Sequence, residues 1–386
     1  MITLRGMTWD HERGFASMKA VGRRFSEANP GIRLEWEARS LQDFEDFPVE
    51  TLAAHYDVMM IDHPHIGTAA ENGVFEPMDD WLSAAFLEDQ RVNSVGPGYG
   101  TYTWNGRQWA LSVDEAAQVC AYPQDLKDWD LPRTWEETAA LAASLPAGQH
   151  MAFPLVPTHA FSCFVTLNAN IGGPDFWQGE TAIRKDSGEE AFAVLQRLAS
   201  ASHPCSFDCD PIGILDAMSG RSAAPEQIVY APLVYGYSNY AREGYGARLV
   251  RFADIPSAVD IPRGSMIGGV GVAVSSRSFH KAEAMRFAEY LASEACQCGP
   301  LYFSGGQPGY LKAWLDESIN ADSHGFFRDT LSTLQHAYVR PRKPGYCAFQ
   351  RRAGAYLRSA LLNRTFPADA VTAFNQLFTE LVARPA

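Results

Sequence analysis

The side chains whose types and spacing suit chemistry fall into two groups. Trp9, Asp10 and His11 follow the first strand-like run, Arg39 the second, Asp62, His63 and His65 the third, and Asp114 a fourth. In an open α/β sheet the carboxyl ends of the strands line one crevice, so these residues are expected to converge. Asp, His and Arg hydrogen-bond hydroxyls, and an indole face packs on an apolar ring face, a combination that suits a sugar-like polyol. Taken singly, each is an ordinary polar loop residue that caps a helix or faces water. The second group is Tyr230, Tyr235, Tyr237, Tyr240 and Tyr245 with Asn239. Tyr235 and Tyr237 share a face if the strand continues. Aromatic stripes are more often core, yet Gly236, Ser238 and Asn239 read as a loop beside a pocket.

Other chemistries are poorly supported. His63-Pro64-His65 beside Asp62 invites a metal, but it lacks the i, i+4 spacing of a helical pair and a third ligand, so no metal or cofactor is expected. Asp62 equally reads as a cap for the helix near Ile66. There is no Gly-x-Ser-x-Gly elbow, phosphate loop or His-Glu-x-x-His. Gly268-Gly269-Val270-Gly271 precedes a strand instead of following one, the wrong order for a dinucleotide fingerprint. Adjacent carboxylates such as Asp79-Asp80 and Asp114-Glu115 do not set the separation that glycoside hydrolysis requires. The seven cysteines are an odd number for a disulfide framework. Cys205-x-x-x-Cys209 and Cys296-x-Cys298 are the close pairs, and buried free thiols are the expectation.

These residues need elements to hold them. Residues 2–8 read as a strand, and Phe15, Met18, Val21, Phe25 and Ala28 have helical spacing up to the Asn29-Pro30-Gly31 stop. Ile32, Leu34, Trp36 and Ala38 alternate as a half-buried strand, and Asp57–Asp62 is a short apolar run suited to a covered parallel sheet. A helix near 66–72 ends at Gly73. This rhythm argues for an α/β lobe. Asn105-Gly106 marks a hairpin feeding a strand to about Val113. Thr134…Glu137 and Ser187…Glu190 read as capping boxes opening helices near 134–144 and 188–200. Apolar runs recur at 228–234 and 266–274. Beyond Arg277 the pattern is helical, near 280–294, 323–337, 349–363 and 370–383. The clusters at 261–264 and 305–309 are candidate lobe crossings.

At 386 residues, 46% hydrophobic and 20% charged, the chain can fill two packed lobes. Its net charge of −13 comes from 32 basic and 45 acidic residues. From Glu35 to Asp89 there are fourteen acids against Arg39 alone, a surface that repels phosphate backbones and anionic lipid, so no nucleic acid is expected as partner. Leu331–Ala368 is the opposite, with seven Lys/Arg and no acid. No run approaches the roughly eighteen apolar residues of a membrane span, so no membrane insertion is expected. The N-terminus enters strand-like sequence directly, and no secretion signal is expected in this chain.

The order of Phe25–Leu34, Tyr56–Asp62, Ala70–Leu82, Asn105–Leu111, Leu131–Glu137, Gly268–Val274 and Gly305–Pro308 resembles the extracellular solute-binding proteins of bacterial ABC importers, family 1, the maltose-binding-protein-like carbohydrate type. The resemblance spans essentially the whole chain. It implies an α/β, two-lobed periplasmic-binding-protein-like fold (type II) with a helical C-terminal part and a cleft closed by a hinge. The implied lobes are 1–112 plus 264–305 and 113–263 plus 306–386. It also implies a binding protein without chemistry of its own, monomeric and periplasmic, that carries a small ligand to an ABC permease. Carried over by position, Trp9, Asp10, Asp62, His63, Asp114 and Tyr235 to Asn239 match ligand-facing places, and Gly305, Gly306 and Gln307 match a segment near the cleft. An accessible Arg39 or Arg263 would suit an acidic sugar. Two alternatives stay open. One is an enzyme on this scaffold with Cys120, Cys163 or Cys347 as nucleophile, although no base stands at recognisable spacing. The other is a cytosolic ligand sensor docking through Arg340–Arg364, although packing on the acidic lobe or a solvated helix surface is the readier account of that basic stretch.

Overall fold

The computed structural model describes residues 1–40, 49–126, 128–177, 182–222 and 227–383. Asp43, Glu45 and Asp46 of the acidic segment lie outside the described residues. Along the chain run β1 (Ile2–Trp9), α1 (Ser17–Ala28), β2 (Ile32–Arg39), β3 (Val58–Ile61), α2 (Ile66–Glu71), α3 (Ala84–Asn93), β4 (Thr103–Trp104), β5 (Arg107–Gln108) and β6 (Leu111–Pro123). Then follow α4 (Trp135–Ser144), β7 (Gln149–Met151), α5 (Pro157–Gly172), α6 (Lys185–Ala201), α7 (Pro211–Ser219), β8 (Gln227–Tyr235), β9 (Val250–Ala253) and β10 (Ile267–Val274). The main helices after that are α8 (Lys281–Ala292), α9 (Phe326–Gln335), α10 (Tyr346–Leu362) and α11 (Pro367–Phe378).

The chain divides into two units. Unit 1 is Met1–Ala116, Gly268–Ile319 and Arg340–Pro344, and unit 2 is Ala117–Ile267, Asn320–Val339 and Gly345–Ala386. The boundaries at 116/117 and 267/268 lie four residues from those read in the sequence. Residues 306–319 and 340–344, expected in the second lobe, cluster with unit 1, where Gln307 and Arg340 bond to Glu115 and Asp62.

In unit 1 the strand order is β2-β1-β3-β10-β6. β1 pairs in parallel with β2 from Ile2↔Ile32 to Trp9↔Arg39, and with β3 at Gly6↔Val58. Parallel pairing with short crossovers puts Trp9, Arg39 and the residue after Ile61 at the same edge. All four residues of β3 are buried, as an apolar run in a covered sheet requires. Met18, Val21 and Phe25 bury one face of α1, and Phe25 meets Phe287 edge-on at 5.3 Å. The helix expected from Phe15 starts at Ser17, after a π-type turn at Glu12–Ala16. Asn105 and Gly106 both have positive φ (50° and 74°), and β4 pairs with β5 around them as that dipeptide predicts.

In unit 2, β6 pairs antiparallel with β8 (Gln118↔Tyr235) and with β9 (Cys120↔Ala253), and β8 pairs in parallel with β7. Its core is aromatic: Phe161, Phe164, Phe349 and Phe374 join α5, α10 and α11, with centroids between 5.0 and 5.9 Å. Thr134 forms the expected capping box with Glu137. Ser187 does not cap: α6 begins earlier, at Lys185, and the Ser187 N–H donates to Asp186 at 2.8 Å.

Candidate functional site

The strand ends of unit 1 collect polar groups, most of them paired. Trp9 closes β1 and is only 4% exposed, its ring lying so close to the following turn that a side chain at Gly14 would reach within 2.5 Å of it. Asp10 is exposed, and its N–H donates to the Arg39 carbonyl at 2.6 Å. His11 caps the turn, its Nδ1 accepting from the Arg13 N–H at 3.0 Å. That turn sends Arg13 inward, where Nε donates to Asp114 Oδ2 at 2.7 Å and a terminal nitrogen to Oδ1. Asp114 does not follow a strand, as the sequence reading had it. It lies inside β6, thirteen residues long and buried throughout, because the apolar run continues past Val113. Burial pushes its carboxyl pKa up, opposed by the Arg13 guanidinium and the Gln307 backbone N–H.

Asp62 follows β3, and its Oδ1 accepts from the His63 N–H at 2.8 Å, the helix-capping role allowed for in the sequence. It also takes Arg340, which reaches both carboxylate oxygens at 2.6 and 2.7 Å. Burial works to raise the Asp62 pKa, but Arg340 and His63 hold it well below the carboxylate range. The His63 ring is buried and its Nδ1 lies 3.1 Å from Asp62 Oδ1. Burial and Arg340 lower its pKa to about 4 against the pull of Asp62, so the ring is neutral at pH 7. With its proton on Nδ1, Nε2 is an acceptor, buried without a hydrogen-bond partner among the described residues. His65 is also buried, at the start of α2. Among the described residues no three His, Cys, Asp or Glu side chains are grouped as metal ligands.

Gln307 is fully buried, its Nε2 donating to the Glu115 carbonyl at 2.8 Å, while Glu115 N–H donates to the Gln307 carbonyl at 3.2 Å. Gly306 is buried against Leu301 and Gly305 is half-buried. This segment therefore braces β6. Glu115, accepting from Ser112, is raised well above the carboxyl range by burial.

In unit 2, Tyr235 ends β8 half-buried, with the His159 ring 5.9 Å away. Tyr237 and Asn239 are 5% and 3% exposed in the turn that follows. Tyr230 and Tyr240 are core residues, and the Tyr240 hydroxyl donates to Asp216 at 2.8 Å. Arg263 Nε donates to the carbonyl of Asn170 in α5 at 3.1 Å. An open groove of about 900 Å³ is lined by Trp129, Leu131, Arg133, Glu137, Asp254 and Asp260 among others, and none of the candidate ligand-binding residues lines it.

Arg340 is the residue the sequence reading missed. Its basic stretch reads in the sequence as a docking face or, more readily, as packing on the acidic lobe or a solvated helix surface; Arg340 itself is 4% exposed and joined to Asp62 of the acidic segment. The signal available was the position of Asp62 at the end of a buried apolar run, where a carboxylate requires a cation. The expectation of buried thiols holds for Cys120, Cys163 and Cys296, whereas Cys205, Cys209, Cys298 and Cys347 are partly exposed. Burial lifts Cys120 and Cys163 to about 12, which suppresses the thiolate a nucleophile needs.

Residues 8–192 match the family model for bacterial extracellular solute-binding proteins. Among solved structures, an ABC transporter solute-binding protein from Thermotoga lettingae TMO, bound with alpha-D-tagatose, is 18% identical over 99% of this chain and 100% of its own, with a TM-score of 0.82. One from Agrobacterium radiobacter K84, in complex with ribitol, is 18% identical over 98% of both chains, also at 0.82. Maltose-bound MalE3 of T. maritima is 18% identical over 97% of this chain and 98% of its own, at 0.81. The fold is thus the α/β, two-lobed periplasmic-binding-protein-like fold expected from the sequence, and the family resemblance holds.

Proposed function

We propose that this chain, similar to the bacterial extracellular solute-binding proteins, is the binding component of an ABC importer and takes a carbohydrate or sugar derivative. The observation that carries the reading is the set of braced hydrogen-bonding groups in unit 1, at the end of β3 and within β6, in a chain with that family match. A ligand hydroxyl can donate to a lone pair left on Asp62 or Asp114, or to Nε2 of neutral His63. Ion pairing holds these acceptors in fixed orientations, which lowers the ordering cost of binding. Trp9, Asp10, His11, Arg39 and His65 complete the unit 1 set. Tyr235, Tyr237 and Asn239 of unit 2 supply ring faces and an amide. Gly305, Gly306 and Gln307 act as a brace.

The ligand leaves unchanged in this reading, and its onward partner is a membrane permease, which implies a monomer working outside the cytoplasm. The raised thiol pKa values of Cys120 and Cys163 weigh against the nucleophile alternative. A thermal-shift panel of neutral sugars, polyols, sugar acids and amino acids tests it. Stabilisation by a member of the sugar or polyol classes, with that compound recovered intact by NMR, is the expected result. A response confined to amino acids, or conversion of the ligand, would overturn it.

A further inference from the structure

The ligand reading makes no use of Cys205 and Cys209 in unit 2. Cys205 lies in a 3-10 turn, Pro204–Phe207, whose N-cap His203 accepts the Cys205 N–H at 3.2 Å. The chain then folds back, and the Cys209 N–H donates to the Cys205 carbonyl at 2.9 Å. One turn thus brings the two side chains onto the same face. Both residues are partly exposed, whereas Cys120, Cys163 and Cys296 are buried away from any aqueous oxidant. The turn is anchored at both ends. Arg358 donates to the Phe207 carbonyl at 3.0 and 3.1 Å, and Asp210 caps α7 by accepting the Gly213 N–H at 2.8 Å.

We infer that Cys205 and Cys209 form an intramolecular disulfide when the protein meets a small-molecule disulfide such as oxidised glutathione. The Cys209 thiolate attacks one glutathione sulfur, expelling the first glutathione thiolate and leaving a mixed disulfide. The Cys205 thiolate then attacks the Cys209 sulfur and expels the second. One S–S bond breaks and one forms, two electrons pass from the protein thiols to the reagent, and the two thiol protons end on the departing glutathiones. Burial raises both pKa values, helped by Asp210 beside Cys209 and Asp208 beside both, so closure accelerates with rising pH. The same feature makes each thiol a poor leaving group, so the closed bond resists thiol attack.

The test is to equilibrate the reduced, folded protein with oxidised glutathione at pH 8, unfold it in guanidinium chloride containing N-ethylmaleimide so that every remaining thiol is blocked, and map the peptides by mass spectrometry without reduction. The expected result is five blocked cysteines of the seven, with Cys205 and Cys209 joined in one peptide that has lost two hydrogens. In Cys209→Ser, with an unchanged circular dichroism spectrum, Cys205 carries a single glutathione and no internal bond. Seven blocked cysteines, separate glutathione adducts on Cys205 and Cys209, or a bond to any other cysteine would overturn the assignment.

Discussion

Asp62 is held from two sides, with Arg340 on both oxygens and His63 on one. Breaking such a pair leaves a charge in a poorly solvated place, so Arg340→Ala should lower stability by about 3 kcal/mol. Removing both charges, in Asp62→Asn with Arg340→Met, should recover most of it. Urea unfolding of the three proteins measures both effects, and a double variant as unstable as the single one would contradict the pairing. The histidines give a second prediction. His63 titrates near 4 and His159 near 3, each lowered first by burial, whereas unfolded histidine titrates at about 6.5. Below that pH the unfolded chain binds protons the native protein refuses, so stability falls with falling pH, by about 1.4 kcal/mol per pH unit for each histidine. Asp62, lowered in the folded state, adds a loss below its unfolded value of about 3.9. Unfolding free energies between pH 7 and 4 should show this slope, and His159→Asn should flatten it.

At the scale of elements, α5 is tied to β6 and to the residue before β10 through its fully buried Thr166. The Thr166 hydroxyl donates to Gln118 Oε1 of β6 at 2.6 Å and accepts the Met266 N–H at 2.9 Å, while the Ser265 hydroxyl donates to the Gln118 carbonyl at 2.6 Å. Thr166→Val keeps the shape and strands both partners, for a loss of about 1–3 kcal/mol in the same urea assay. Thr166→Ser should be the milder change. The elements legible in the sequence were those specified locally. The Asn105-Gly106 hairpin, the Thr134 capping box and the β3 run each carry their reason within a few residues. What depended on distant chain was not legible. Asp114 was read as a loop residue because the passage of β6 from one unit to the other has no local signature. Arg340 and Asp62 are 278 residues apart, and a pairing at that separation leaves no periodicity to find. The tyrosines divide for the same reason: tertiary packing left Tyr235 half-buried and sank Tyr230 and Tyr240 into the core.

For the molecule as a whole, each unit has its own hydrophobic core, and the acid-rich N-terminal segment contributes to unit 1. The basic stretch after Arg340 is not a uniform docking face. Arg340 is spent on Asp62, Arg342 donates to the Gly100 and Thr101 carbonyls, and Arg352 pairs with Glu380 at 2.7 Å. The −13 charge therefore argues against nucleic-acid partners, while the carboxylates read as ligand acceptors have cationic partners of their own. The most direct test of the central claim is isothermal titration calorimetry of the purified chain with neutral sugars, sugar acids and polyols. Saturable one-to-one binding to at least one of them, weakened tenfold or more by Tyr235→Ala and by His63→Gln in folded protein, is the predicted result. No heat of binding with any sugar, sugar acid or polyol would contradict the account.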